Sequence, residues 1–285
     1  MNKPFENIDL ASVPEDANKY SRGKCNIVAG SEKYPGAAIL CARASERCGS
    51  GYTQVYTHPD NVKAIAVAVP TVPVADFNEL SNELNIDTYI DTNIEAKSNS
   101  KKPLSYVIGP GFYQPDYVED VLKTTHETSI PVVVDGGAIS KQKYNSNCVL
   151  TPHMGEGRRL ADAYGISHDV TGGELADQLS HTTGACIVLK GPDTLIVQGD
   201  KKFLMTDGTP ALAKAGTGDV LAGIIGSLCL RYSVFEAAVI GTQIHALAGK
   251  IVAKKFGDQS VIATDVIDAL PEALSKYSDI PSAQV

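Results

Sequence analysis

Short apolar runs alternate with stretches whose apolar residues recur at helical spacing, and glycine, proline or polar clusters separate them. Residues 25–30 predict a buried strand ending on Gly30, residues 37–44 a helix that stops near Cys48-Gly49-Ser50-Gly51, and residues 52–57 a returning strand. That is a βαβ unit. The run Ile65-Ala66-Val67-Ala68-Val69-Pro70 predicts a further apolar strand, whereas residues 76–102 are polar and give no clear element. Strands are expected at 106–111, 131–135, 148–151 and 186–190, with helices at 118–125, 156–164 and 171–179 between them. The rhythm then changes. Residues 194–198 and 202–206 flank Gly199-Asp200 and predict a hairpin, and helices are expected at 234–256 and 264–277.

Strands that are apolar throughout, alternating with helices, predict an α/β fold: a mostly parallel sheet covered by helices on both faces. Ligands of such sheets sit at the carboxyl ends of the strands. Gly30, Gly109-Pro110-Gly111, Asp135, Pro152-His153 and Lys190-Gly191 all fall at such ends. With no repeat, low-complexity stretch or linker, residues 1–285 are expected to form one domain. Residues 1–22 are polar and predict an arm lying over the surface or a partner subunit.

One stretch concentrates the candidate chemistry. In Ala213-Lys214-Ala215-Gly216-Thr217-Gly218-Asp219, two glycines flank a threonine and an aspartate follows, before an apolar run through Leu230. The run is too apolar for a surface helix and predicts one buried nearly all round. Its first turn carries backbone N–H groups without intrahelical partners, at the positive end of the helix dipole, and glycine lets a phosphate approach. Asp219 fits a capping carboxylate; beside a bound phosphate it also fits a general base taking a proton from a hydroxyl.

Composition narrows the rest. Hydrophobic residues are 43% of the chain, enough for a sizeable core. A formal net charge of −8 without a basic run argues against nucleic-acid binding. The six cysteines are scattered without metal spacing, as expected of reduced thiols in a cytoplasmic protein. No apolar leader or membrane-length apolar segment is expected. Walker A, dinucleotide-fold GxGxxG, nucleophile-elbow and HExxH motifs are all missing.

Gly-Thr-Gly-Asp opening an apolar helix resembles the anion hole and base of the ribokinase-like superfamily. Within it, Leu150-Thr151-Pro152-His153-Met154-Gly155-Glu156, Leu189-Lys190-Gly191-Pro192-Asp193-Thr194 and residues 213–223 resemble the ADP/ATP-dependent NAD(P)H-hydrate dehydratases. Gly30 with Gly36-Ala37-Ala38, and Gly109-Pro110-Gly111, follow the same family in the same order. The resemblance runs from about residue 23 to residue 271 and implies a ribokinase-like sheet with helices on both faces. It implies repair of the S-form of hydrated NADH or NADPH, with ADP or ATP as phosphoryl donor and a phosphorylated intermediate.

On the same resemblance, Lys190, Gly191, Pro192, Asp193, Thr194, Gly216, Thr217 and Gly218 would contact the adenine nucleotide. Ala37, Gly111, His153 and Asp219 would contact the hydrated dinucleotide, with Asp219 as catalytic base. Mg²⁺ is expected on the nucleotide phosphates, held mostly by phosphate and water. The family's habit implies a homotetramer, while charge and the lack of a long apolar segment imply no nucleic-acid or membrane partner. The residues alone leave His153 open as a helix cap, Lys190 as a solvated strand end, and Asp135 as a loop cap or a neighbour of magnesium. One departure stands out: the family commonly has Asp-Ala-Asp where this chain has Asp135-Gly136-Gly137. Two other functions remain: a small-molecule kinase of the same fold (thiamine-precursor or sugar), stopping at the phosphate ester, and a nucleotide-sensing module without turnover.

Overall fold

The computed structural model describes residues 10–80, 82, 84, 102–113, 118–167 and 169–277. Strands β1 to β9 are Lys24–Val28, Tyr52–Thr57, Val74–Asp76, Leu104–Ile108, Val132–Val134, Cys148–Leu150, Cys186–Leu189, Thr194–Gln198 and Lys201–Met205. They form one sheet in the order β3-β2-β1-β4-β5-β6-β7-β8-β9. Pairing is parallel from β3 to β7, and the β8–β9 hairpin joins antiparallel. The helices are α1 (Pro35–Arg47), α2 (Val62–Ala68), α3 (Val118–Thr128), α4 (Met154–Tyr164), α5 (Gly172–Thr183), α6 (Thr217–Leu228), α7 (Val234–Phe256) and α8 (Ala263–Ser275).

Alternate strand residues feed two cores. Cys25, Ile27, Val107, Val133 and Val149 pack with α1, α6, α7 and α8 on one face. Val28, Tyr106, Ile108, Val134 and Leu150 pack with α3, α4 and α5 on the other. Burial on both faces is why these strands read as unbroken apolar runs rather than alternating ones.

One expected strand is a helix. Residues 62–68, which contain most of the run Ile65-Ala66-Val67-Ala68-Val69-Pro70, form α2. Ile65 and Val69, four apart, are buried, while Val67 between them is 83% exposed. A strand would bury alternate residues; burial at every fourth position is served by a helix. The third strand forms later, at Val74–Asp76, as the sheet edge beside β2. Most of the polar stretch from 76 to 102 lies outside the described residues.

α6 sets the position of the candidate site. Val220 to Leu228 are all buried. A Cβ at Gly223 would fall on the Cys41 carbonyl of α1, and one at Gly226 on the Val107 side chain of β4. Two glycines thus let α6 lie against both elements, which holds its N-terminus level with the carboxyl ends of the central strands. Residues 10–22 of the expected arm carry no helix or strand and lie on their own chain. There the Ala11 amide donates to the Tyr232 hydroxyl at 2.7 Å, and the Arg22 guanidinium donates to the Gly49 carbonyl at 3.0 Å. No described helix is long and apolar enough to cross a membrane. All six cysteines are free and buried.

Candidate functional site

Gly216 caps α6 with φ of 92°, a left-handed backbone that glycine takes without a Cβ penalty. Thr217, next in line, is buried, and its hydroxyl is directed at the Leu212 and Lys214 carbonyls at 2.7 and 2.8 Å. The side chain therefore stitches the turn from within, and any ligand contact at this residue falls to its backbone. The amides of Gly218 and Asp219 belong to the first turn, where no carbonyl four residues back lies inside the helix. The turn has the donors that an anion needs.

The end of β7 meets this turn. A Cβ on Gly218 would lie 3.3 Å from Lys190 Nζ, so the ammonium sits directly against the turn. The Lys190 ammonium donates to Asp135 Oδ1 at 3.0 Å, and the same oxygen accepts from Thr151 Oγ1 at 2.5 Å. Lys190 is thus an ion-paired residue rather than a solvated strand end. Asp135, 3% exposed, makes no capping bond to its own loop. The ends of β5, β6 and β7 and the start of α6 place two carboxylates, one ammonium and a row of amides together.

Asp219 is the titrating member of this group. Burial, and next the negative charge of Asp135, raise its carboxyl from 3.8 to about 7, against the pull of Lys190. For Lys190, burial opposes the charge, but Asp135, Glu156 and Asp219 together hold its pKa above the usual lysine value. Near neutrality the lysine is charged and the aspartate is poised between its two forms.

His153 is the N-cap of α4. Its Nδ1 accepts from the Gly155 and Glu156 amides at 3.0 and 3.3 Å, and the Glu156 carboxylate accepts from the His153 amide at 2.9 Å. The capping alternative is therefore realised, yet the side chain stays 55% exposed and its backbone bridges to Lys190. Gly191, Pro192 and Asp193 form an exposed turn beyond Lys190, and Thr194 opens β8. Ala37, in the first turn of α1, touches Gly111: a Cβ on Gly111 (φ 75°) would lie 2.7 Å from that of Ala37. These two form a patch after β1 and β4, beside the strands that carry Asp135 and His153.

The Asp135-Gly136-Gly137 departure has a steric reason. A Cβ at Gly137 would fall on the Phe112 carbonyl, in the loop that also holds Gly111. That loop occupies the room a carboxylate-bearing residue would need. Among the described residues no group of three or more His, Cys, Asp or Glu could hold a metal. The donor set suits Mg²⁺ carried on nucleotide phosphates and water, not a cage of protein ligands.

Sequence reasoning passed over several residues here. Thr151 is hydrogen-bonded to Asp135, and Ser31 donates to the Gly111 carbonyl at 2.6 Å, itself held by the Asn61 amide at 2.8 Å from the Ser31 carbonyl. His245 of α7 is buried, and the Lys190 charge acts on it. Ser31 follows the strand-end Gly30 and Thr151 lies within the run Leu150–Glu156, so both carry a positional signal in the sequence; His245 carries none.

The profile of the NAD(P)H-hydrate dehydratase family matches residues 25–272. The chain is 30% identical over 263 residues to the bifunctional NAD(P)H-hydrate repair enzyme Nnr of Vibrio cholerae, covering 90% of this chain and 51% of that protein. It therefore spans about half the length of that bifunctional relative. It is 29% identical to the ADP-dependent (S)-NAD(P)H-hydrate dehydratase of Bacillus subtilis, covering 97% of this chain and 100% of that one. A crystal structure of the Bacillus subtilis ADP/ATP-dependent NAD(P)H-hydrate dehydratase, co-crystallized with ATP/Mg²⁺, superposes with a TM-score of 0.78 at 26% identity, covering 94% of each chain.

Proposed function

Because this chain belongs to the NAD(P)H-hydrate dehydratase family, we propose that it regenerates NADH and NADPH from the S-forms of their hydrates, with ADP or ATP as phosphoryl donor. The observation that carries this reading is the meeting of Lys190 with Gly218, beside an Asp219 whose pKa lies near 7. A general base and phosphate-binding groups then share one strand-end site.

The residues divide the work. The Gly216, Thr217 and Gly218 backbone takes the terminal phosphate, and Lys190 adds a fixed positive charge. The turn of Gly191, Pro192, Asp193 and Thr194 borders the rest of the nucleotide. The hydrated ring enters from the side of Ala37, Gly111 and His153. Asp219 accepts the proton of the ring hydroxyl as its oxygen bonds to the terminal phosphorus, and the bond to the departing nucleotide breaks, releasing AMP from ADP or ADP from ATP. The phosphate ester then leaves as inorganic phosphate. The ring nitrogen lone pair drives out the C–O bond, and loss of the neighbouring ring proton restores the double bond. Base assistance contributes roughly 10²–10⁴ in rate, and each amide on the transferring phosphate about 3 kcal/mol. Mg²⁺ carried by the nucleotide would supply charge neutralisation.

The test is incubation with the S-hydrate of NADH, Mg²⁺ and either nucleotide. Reduced-ring absorbance should return with one AMP or ADP and one phosphate formed per ring restored. Accumulation of a stable phosphorylated alcohol from a thiamine precursor or sugar, with no ring restored, is the kinase outcome; nucleotide binding without turnover is the sensor outcome. The proposal extends to a cytoplasmic homotetramer, whose mass light scattering reads directly.

A further inference from the structure

The loops that follow β1, β2 and β4 are knitted together at the carboxyl ends of their strands. The Gly30 amide donates to the Pro110 carbonyl at 2.9 Å, and the Gly30 carbonyl accepts from the Thr57 hydroxyl at 2.9 Å and the His58 amide at 3.2 Å. The Ser31 carbonyl accepts from the Tyr34 amide at 3.0 Å and from the Asn61 side-chain amide at 2.8 Å. These bonds hold the β1 loop without using the Ser31 hydroxyl. That hydroxyl crosses instead to the β4 loop, where it donates to the Gly111 carbonyl at 2.6 Å. Gly30 sets up the crossing: its φ of 81° turns the chain at the end of β1, and a Cβ there would lie 2.8 Å from the Thr57 hydroxyl oxygen.

Gly111 sits in the tightest part of this junction. A Cβ on it would lie 2.7 Å from that of Ala37 and 2.8 Å from the Tyr34 carbonyl oxygen. The next amide, that of Phe112, donates to the Gly109 carbonyl at 2.8 Å. With the Ser31 bond, both polar ends of the planar Gly111–Phe112 peptide are tied, so its orientation is fixed. On the opposite flank the β4 loop rests on the β5 loop, backbone against backbone, since a Cβ at Gly109 would fall on the Asp135 carbonyl. The flank toward β1 is held by a side chain.

We propose that Ser31 is a positioning residue for the hydrated ring: its hydroxyl fixes the Gly111 backbone against Ala37 and so shapes the patch that receives the ring. This inference rests on the reading that the hydrated ring enters beside Ala37 and Gly111. The phosphate turn opens α6 and Lys190 follows β7, so neither lies on the loops that Ser31 joins. Loss of the hydroxyl should therefore be felt by one substrate and not by the other.

The experiment compares Ser31→Ala and Ser31→Thr with the wild-type chain, reading kcat/KM for the S-hydrate of NADH and the KM for ADP. Ser31→Ala should lower the hydrate kcat/KM about tenfold, the worth of one well-placed hydrogen bond, with the ADP KM within about twofold of wild type. Ser31→Thr keeps the hydroxyl and should recover to within about threefold of wild type. A wild-type hydrate kcat/KM in Ser31→Ala overturns the proposal. So does an equal rise in the ADP KM, which is what general loosening of the site would give, or a Thr variant no better than Ala. If Ser31→Ala fails to fold, hydrogen exchange of the wild-type chain decides. The Phe112 amide should exchange more slowly with NADH hydrate bound and at an unchanged rate with ADP alone; slowing by ADP alone, or no response to the hydrate, overturns the proposal. A wild-type chain that restores no reduced ring overturns the dehydratase reading, whereas wild-type turnover with a hydrate kcat/KM indifferent to Ser31 overturns the positioning role alone.

Discussion

Asp219 carries a conflict between stability and chemistry, and the conflict is measurable. Its carboxyl is raised from 3.8 to about 7 in the folded chain, so between those values the folded state binds a proton that the unfolded state has released. Stability from this group is therefore highest below 3.8, falls as pH rises toward 7, and stays low above it. Asp219→Asn should accordingly raise Tm at pH 8 and leave it unchanged at pH 3, while turnover drops by roughly 10²–10⁴ and nucleotide affinity persists. Scans at the two pH values beside a single-turnover assay check all three. A second prediction separates the causes of the shift. Burial comes first and Asp135 second, with Lys190 opposing. Asp135→Asn removes the negative neighbour and releases Lys190 from its pairing. The inflection of kcat/KM against pH should move down from about 7 without reaching 3.8, because burial remains. An unmoved inflection would mean that Asp219 is not the group the profile reports.

Glycine placement does at the level of helices what titration does at the level of side chains. Gly223 and Gly226 sit in α6 where any Cβ would overlap α1 or β4, whereas Gly173 in the first turn of α5 has only the Thr171 hydroxyl within reach, at 3.9 Å. Gly226→Ala should lose about 1–3 kcal/mol or more by overpacking, while Gly173→Ala should be neutral or slightly stabilising. Urea denaturation of both distinguishes a glycine required by packing from one on an open helix face. The sequence showed α6 through its apolar run, because a helix buried all round has no polar face to interrupt it. It misled at residues 65–70, because a short apolar run has the same composition in a strand and in a helix at the sheet edge. Only the burial of Ile65 and Val69 and the exposure of Val67 tell them apart. Motif spacing revealed Lys190, His153 and the Gly-Thr-Gly-Asp turn. The Asp135–Lys190 pair depends on residues 55 positions apart in the chain, which only the folded sheet brings together.

That separation has a consequence for the molecule as a whole. Lys190 follows β7, the turn opens α6 after the β8–β9 hairpin, and Asp135 follows β5, so a nucleotide bound here reaches the ends of β7 and β8 directly and β5 through the Lys190–Asp135 pair. A ligand that binds only the folded chain stabilises it by RT ln(1 + [L]/Kd), about 2.7 kcal/mol at a hundredfold excess over Kd. For a chain of this size that corresponds to a rise in Tm of roughly 4–5 °C. Lys190→Ala should lower the unliganded Tm, since it leaves the Asp135 carboxylate buried without its cation. It should also shrink the ADP-induced rise measured against that new baseline. The two effects are separable because the first is present without nucleotide. If Lys190→Ala lowered Tm but kept the full ADP shift, Lys190 would belong to the sheet's internal bracing, and the phosphate would be gripped by the glycine turn alone.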